Sequence, residues 1–317
     1  MLRSFLSMLK YRRNPNVVLM YHRIANADTD PWDLAVSPQH FEEHLQVLKN
    51  YNVVSLEELE WIIAEKSPPK RATVAITFDD GYIDNYQNAK PLLEKYQMPA
   101  SFFIATQSIT EQEEFWWDAL ERICFHSGLL PKRLSLDYPE AIDWKIGDQD
   151  LAGGEVIDPL SLYFKLCELT RKLPAKEQDQ LIDNLKFWAS NFRSRDSYLA
   201  MKEHHLKELD SSPLFSLGAH TATHPFLPDF SFLYQKDDIE NGIKFLENLT
   251  GKKVGYFAYP HGGHNELTLK IMAMLDLKLA FTTERGNFNS SNPYTIPRLQ
   301  VKNWSTKEFA TELKSVV

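Results

Sequence analysis

Ala72-Thr-Val-Ala-Ile-Thr-Phe-Asp79-Asp80-Gly81-Tyr82 decides how the chain is read. Residues 72–78 are β-branched or apolar on both faces, as in parallel strands covered by helices. The run ends in two carboxylates and a glycine. Asp79 and Asp80 therefore stand at a strand's C-terminal end, where α/β folds display reactive groups on loops held by a rigid sheet. Adjacent like charges are tolerable when one meets a cation and the other a proton or a donor, which implies a division of labour. The ordinary alternative is a plain turn, since Asp and Gly are common turn residues.

Leu217-Gly-Ala-His220-Thr-Ala-Thr-His224-Pro225-Phe226 supplies the context. Residues i and i+4 of one helical turn share a face, so both imidazoles can aim at one ion. Pro225 disfavours helix at the residue before it, which predicts a short turn within a loop. Two neutral imidazoles and one carboxylate form the ligand set of an open, catalytic zinc site. A second pair, His40 and His44, has the same spacing but lies on an amphipathic helix with Phe41, Leu45 and Leu48. It lacks the glutamate position of the helical zinc motif and is read as solvated helix surface.

Thr77-Phe-Asp-Asp-Gly-Tyr82 followed by His220-Thr-Ala-Thr-His224-Pro225 resembles the polysaccharide deacetylase family, carbohydrate esterase family 4. Phe257-Ala-Tyr-Pro260-His261-Gly262 is similar to a third family loop, and the likeness covers roughly residues 14–108 and 212–304. The resemblance implies an α/β fold, a distorted (β/α) barrel. It also implies a metal-dependent enzyme that removes N- or O-acetyl groups from sugars, in polysaccharide or lipopolysaccharide biosynthesis. By the same resemblance Asp80, His220 and His224 hold a divalent metal ion, zinc by its ligand set. Asp79 is the base, and the amide of His261 meets the oxyanion. The late Leu-x-His strand of better-known members is missing, because the last histidine is His264. Asn16-Val-Val-Leu-Met-Tyr21-His22 instead resembles a subgroup whose Tyr-His strand comes first, as in a circular permutation, making His22 the general acid. An imidazole, with an unperturbed pKa of ~6.5, suits that task. A strand-end histidine satisfied by backbone is the alternative.

Three positions depart from the family pattern: His261 replaces a tyrosine, Ala258 replaces the arginine that orients the aspartate, and Asn303-Trp304 replaces Asp-Trp. Arg298 is either a substitute for that arginine or a structural ion pair. Two other functions stay open, a catalytically inactive sugar-binding homologue and a metal-dependent hydrolase of small cyclic amides.

With 317 residues, 43% of them apolar and 12% aromatic, the chain can build one large barrel domain over 14–317. A net charge of −8 without a long basic block argues against nucleic acid. The expected partner is an acetylated carbohydrate, whether glycan, lipid-linked or nucleotide-linked sugar. Cys124 and Cys167 lack metal spacing and are read as buried free thiols, consistent with a reducing, cytoplasmic setting. Residues 1–13 read as a basic amphipathic segment, too short in its apolar run for a signal peptide, that is either a packed or frayed terminus or a peripheral membrane contact.

Along the chain, helix and strand signals alternate up to 104. Between about 109 and 211 three helical patterns predominate, at 114–125, 160–172 and 176–192, and are read as an insertion. Phe115, Trp116 and Trp117 could wall a cleft or simply pack in a core.

Overall fold

The computed structural model describes residues 16–65, 71–126, 128, 130–147, 156–190, 192–288 and 292–316. The expectation for residues 1–13 lies outside them. Eight strands make the main sheet. They are β1 Asn16–Tyr21, β2 Asn52–Val54, β3 Thr73–Phe78, β4 Ala100–Ile104, β5 Phe215–Ala219, β6 Tyr256–Ala258, β7 Leu279–Phe281 and β8 Leu299–Gln300. All pairings are parallel, in the order β7-β6-β5-β4-β3-β1-β8, with β2 beside the first half of β3. Every residue of β1 and β3 is buried, as their largely apolar and β-branched composition predicts for a sheet covered on both faces. The sheet curls until Ile296, just before β8, bridges Phe281 of β7. The result is a distorted (β/α) barrel.

Register brings distant residues to one end. Tyr21 pairs with Phe78, so His22 follows beside Asp79. Ala219 pairs with Ile104 and with Phe257, which sets His220 next to the chain leaving β6. Flanking helices start where caps predict. Ser37 accepts the His40 N–H, and Ser55 with Glu58 forms a reciprocal capping box. Each such cap contributes about 1 kcal/mol.

The structure departs from the sequence reading at several places. His44 is buried rather than solvated: Nδ1 lies 3.2 Å from the Tyr21 hydroxyl, Nε2 lies 2.7 Å from the Trp304 carbonyl, and Phe309 stacks on its ring. Burial pushes its pKa down to about 4, so it packs as a neutral ring. Within the alternating helix and strand signals before 104, the helix after Asp80 opens as a π turn, Asn85–Ala89, before the α-helix Lys90–Tyr96. Pro91 lacks an N–H and crowds the carbonyl four residues earlier, which the wider turn relieves. The stretch 295–298, β-like in composition, makes a single bridge at Ile296, and the ladder forms just after it at Leu299–Gln300.

Residues 116–189 contain the helices Trp116–His126, Pro159–Arg171 and Ala175–Ala189, and also a three-stranded sheet absent from the sequence reading, Arg133–Leu136, Ile142–Ile146 and Val156–Ile157. The first two strands alternate exposed and buried positions imperfectly, so their period was too weak to register. This region buries its own core, including Leu120, Leu166 and Leu185, and its two cysteines are free and buried. No helix among the described residues is long and apolar enough to cross a membrane.

Candidate active site

Asp79 and Asp80 occupy the bend where β3 ends. The Asp79 N–H bonds the Tyr21 carbonyl, and the Asp80 carbonyl accepts from Ala105, so neighbouring strands hold both residues. Asp80 has φ 72° and Gly81 φ 91°. Thr221, His224 and His261 are also left-handed. Thus, among the described residues, four of the nine non-glycine residues with positive φ lie here, and strain of this kind persists where surrounding structure enforces it.

Asp80, His220 and His224 converge as a buried cluster. Asp80 Oδ1 lies 3.4 Å from His220 Nε2 and 3.2 Å from His224 Nε2, and the two Nε2 atoms are 3.1 Å apart. Asp80 Oδ1 is nevertheless buried without a satisfied hydrogen bond. The His220 Nδ1–H donates to the Ala258 carbonyl at 2.7 Å, which leaves the Nε2 lone pair facing the cluster. Three acceptor atoms at these separations are mutually unfavourable without a cation, and they span the ~3.3 Å edge of a tetrahedron with ~2.0–2.1 Å bonds. The donor set therefore fits a divalent ion. His220 reaches it from the end of β5 and His224 from the loop before Pro225, in keeping with the non-helical turn expected there.

That loop is held from behind by Asp238, on the helix Phe232–Thr250. Its carboxylate accepts the N–H groups of Ala222 and Thr223 and the Thr223 hydroxyl, while Thr221 Oγ1 accepts the His224 N–H. Gly242, on the same helix, lets it approach: a Cβ there would stand 2.6 Å from the Thr221 backbone. Sequence reading missed Asp238, although an acidic residue among the buried Gln235, Ile239 and Leu246 was a usable signal.

Asp79 faces a different partner. Arg298, fully buried, donates Nη1–H to Oδ1 at 2.7 Å and Nη2–H to Oδ2 at 2.6 Å, and its Nε–H bonds the Thr282 carbonyl. Burial alone would raise the Asp79 pKa; the charges of Arg298, His220 and His22, with the Arg298 hydrogen bonds, outweigh it and hold the carboxylate below its usual range. For Asp80 burial is likewise outweighed, chiefly by the two imidazoles. Burial lowers the His224 pKa against the pull of Asp80.

His22 lies beyond β1, on the same cleft. Asn85 donates to its carbonyl at 2.7 Å, and Asp84 binds Ile24 N–H and Arg23, so the π turn pins this segment. Its buried Nδ1 has no protein partner. His261 follows Pro260 with its ring 4.6 Å from that of His224. The turn is closed by the N–H groups of Gly262 and Gly263 rather than by that of His261. At Gly262, φ is +72° and a Cβ would overlap Thr283 Oγ1, so the turn requires glycine.

All six expected site residues line one cleft of about 490 Å³. Trp116 and Trp117 border it too, while Phe115 stacks behind Trp117 at 4.6 Å. Trp32, Phe164 and Arg171 also line it, and the sequence carried no periodic or motif signal for them.

A curled parallel sheet with a buried Asp/His/His cluster at its C-terminal end defines the α/β-barrel class. Known folds agree. A Streptococcus pyogenes deacetylase, PplD, solved with acetate, matches with TM-score 0.57 at 20% identity over 94% of this chain and 97% of that one. IcaB from Ammonifex degensii matches with TM-score 0.61 at 20% identity over 94% and 96%. The sequence profile of the polysaccharide deacetylase family matches residues 66–128 and 181–280, and the chain belongs to that family. Among curated relatives, YxkH of Bacillus subtilis is 32% identical over 39% of this chain, and a Staphylococcus aureus poly-beta-1,6-N-acetyl-D-glucosamine N-deacetylase is 33% identical over 33% of it. These matches span 43% and 40% of the relatives' own lengths. The profile's gap at 129–180 coincides with the small sheet and the helix Pro159–Arg171.

Proposed function

We propose that this protein is a metal-dependent deacetylase that hydrolyses N- or O-acetyl groups of a carbohydrate. The observation that carries the reading is the separation of tasks between adjacent carboxylates: Asp80 joins two imidazoles in a cation-binding cluster, while Asp79 is clamped by Arg298. Asp80, His220 and His224 would hold the ion, with zinc the best match to the donor set. Such an ion supplies Lewis acidity, polarising the acyl carbonyl and lowering the pKa of water from ~15.7 towards ~7.

The chain's own groups do the rest. Asp79, ionised and fixed in orientation, takes the proton of the attacking water. The His261 N–H, left out of its turn's bonds, donates to the oxyanion as charge develops. His22, whose Nδ1 has no protein partner, protonates the departing nitrogen or oxygen. The aromatic wall offers a face to a sugar ring. Two free thiols accord with a cytoplasmic setting.

Acetate release from acetylated glycans and from lipid- or nucleotide-linked sugars, measured with and without chelator, tests the proposal. Chelator-sensitive release restored by zinc is expected; release indifferent to chelation, or none from any acetylated sugar, would refute it. His22→Ala should retain metal and lose most turnover, and near-normal turnover would remove His22 from the mechanism.

A further inference from the structure

Arg171 ends the helix Pro159–Arg171 and borders the candidate active-site cleft from the insertion side. The cleft's other charges are matched. Asp79 is paired with Arg298, Asp80 belongs to the cation cluster, and the carboxylate of Glu168 is met at 3.1 Å by Lys172, the residue that follows its helix. Arg171 makes no ion pair among the described residues. Its guanidinium lies over the Phe226 ring, 4.2 Å from the centroid, and that ring is 6.4 Å from the ring of His261. Trp32 and Phe164, 45% and 38% exposed and 5.1 Å apart, form an aromatic edge on the same cleft. A helix C-terminus favours a cation, which explains a positive residue at 171 but not its placement on the cleft without a partner.

Resting on the deacetylase reading, we infer that the substrate is an acetylated sugar bearing an anionic substituent, a carboxylate or a phosphate ester, which Arg171 binds while the acyl group meets the Asp79/Asp80 end. A planar guanidinium is suited to bidentate recognition of either group. With a chain charge of −8, the overall field opposes an anionic substrate, so a local cation in the cleft has work that a neutral sugar would not require.

Three probes separate the possibilities: methyl N-acetylglucosaminide, the methyl glycoside of N-acetylglucosaminuronic acid, and N-acetylglucosamine 1-phosphate. For the zinc-loaded protein, kcat/KM for acetate release should favour at least one anionic probe by about 10- to 100-fold, the range of a charge-assisted contact. In Arg171→Met, which keeps an unbranched side chain without the charge, that ratio should collapse towards one through KM. Arg171→Lys should restore part of it. Whichever anionic probe is preferred identifies the carboxylate or phosphate source. A wild-type protein that treats all three alike, or an Arg171→Met variant that loses all three equally, overturns the inference. Tryptophan fluorescence titration with the same probes distinguishes the two readings. Anion-selective binding that is lost in Arg171→Met, with no acetate released, would sink the deacetylase reading and spare the anion site. Unselective binding with normal acetate release would do the reverse.

Discussion

Asp79 and Asp80 are neighbours in sequence whose exchange should have opposite signatures. Asp80→Ala removes a cluster ligand, so metal content measured after dialysis should fall to background. Asp79→Asn should keep the metal and lose about 10²–10⁴ in kcat. Equal metal content in the two variants would show that the roles are wrongly assigned. Arg298→Met leaves Asp79 buried and uncompensated, which typically costs about 3–5 kcal/mol. Denaturant unfolding should show this loss, and the Asp79→Asn/Arg298→Met double variant should regain much of it without regaining activity. The carboxylates and the histidine pair were legible because their residue types and spacing are chemical requirements. Arg298 was open to two readings because an arginine's partner 219 positions away is fixed by barrel closure, which no local pattern reports. His44 misled for a related reason: helical spacing gave its face, but not that Trp304 and Phe309 would cover it.

At the level of elements, the helix Phe232–Thr250 acts on the site from behind, through Asp238 and the close approach at Gly242. Asp238→Ala removes the acceptor for two backbone N–H groups and one hydroxyl, loosening the loop that carries His224. Loss of such supporting contacts costs about 10–100-fold in metal affinity. Competition titration against a chromophoric chelator should show that drop while the far-ultraviolet dichroism stays native. The strands β1 and β3 were readable because burial on both faces selects a run of mostly apolar and β-branched residues. The small sheet within 133–157 was not, since its strands pack one face against a local helical core and leave an irregular pattern.

Over the whole molecule, the barrel and the region 116–189 meet through Tyr82, which follows the Asp-Asp-Gly bend. Its hydroxyl donates to Asp118 at 2.6 Å and accepts from Trp117 Nε1 at 2.8 Å, while Arg195 ties Glu114 to Glu121. Burial pushes the Asp118 pKa up to about 7, against the pull of Arg23. A raised carboxyl pKa means that the folded state holds a proton which the unfolded chain releases. This contribution is present in full below the ordinary carboxylate pKa and is lost as pH rises towards 7, amounting to roughly 4 kcal/mol across that window. Melting temperatures recorded from pH 4 to 8 should fall less steeply for Asp118→Asn than for the parent, and parallel curves would count against the buried acid. The closure at Ile296 and β8 has a consequence for biogenesis as well. On the ribosome, Asp79 emerges long before Arg298 can reach it, so the nascent polypeptide carries a carboxylate that it cannot yet bury. Commitment to the native state is thereby postponed until Arg298 has been translated, and a product stopped short of that arginine should be cleared by proteases rather than linger half-folded.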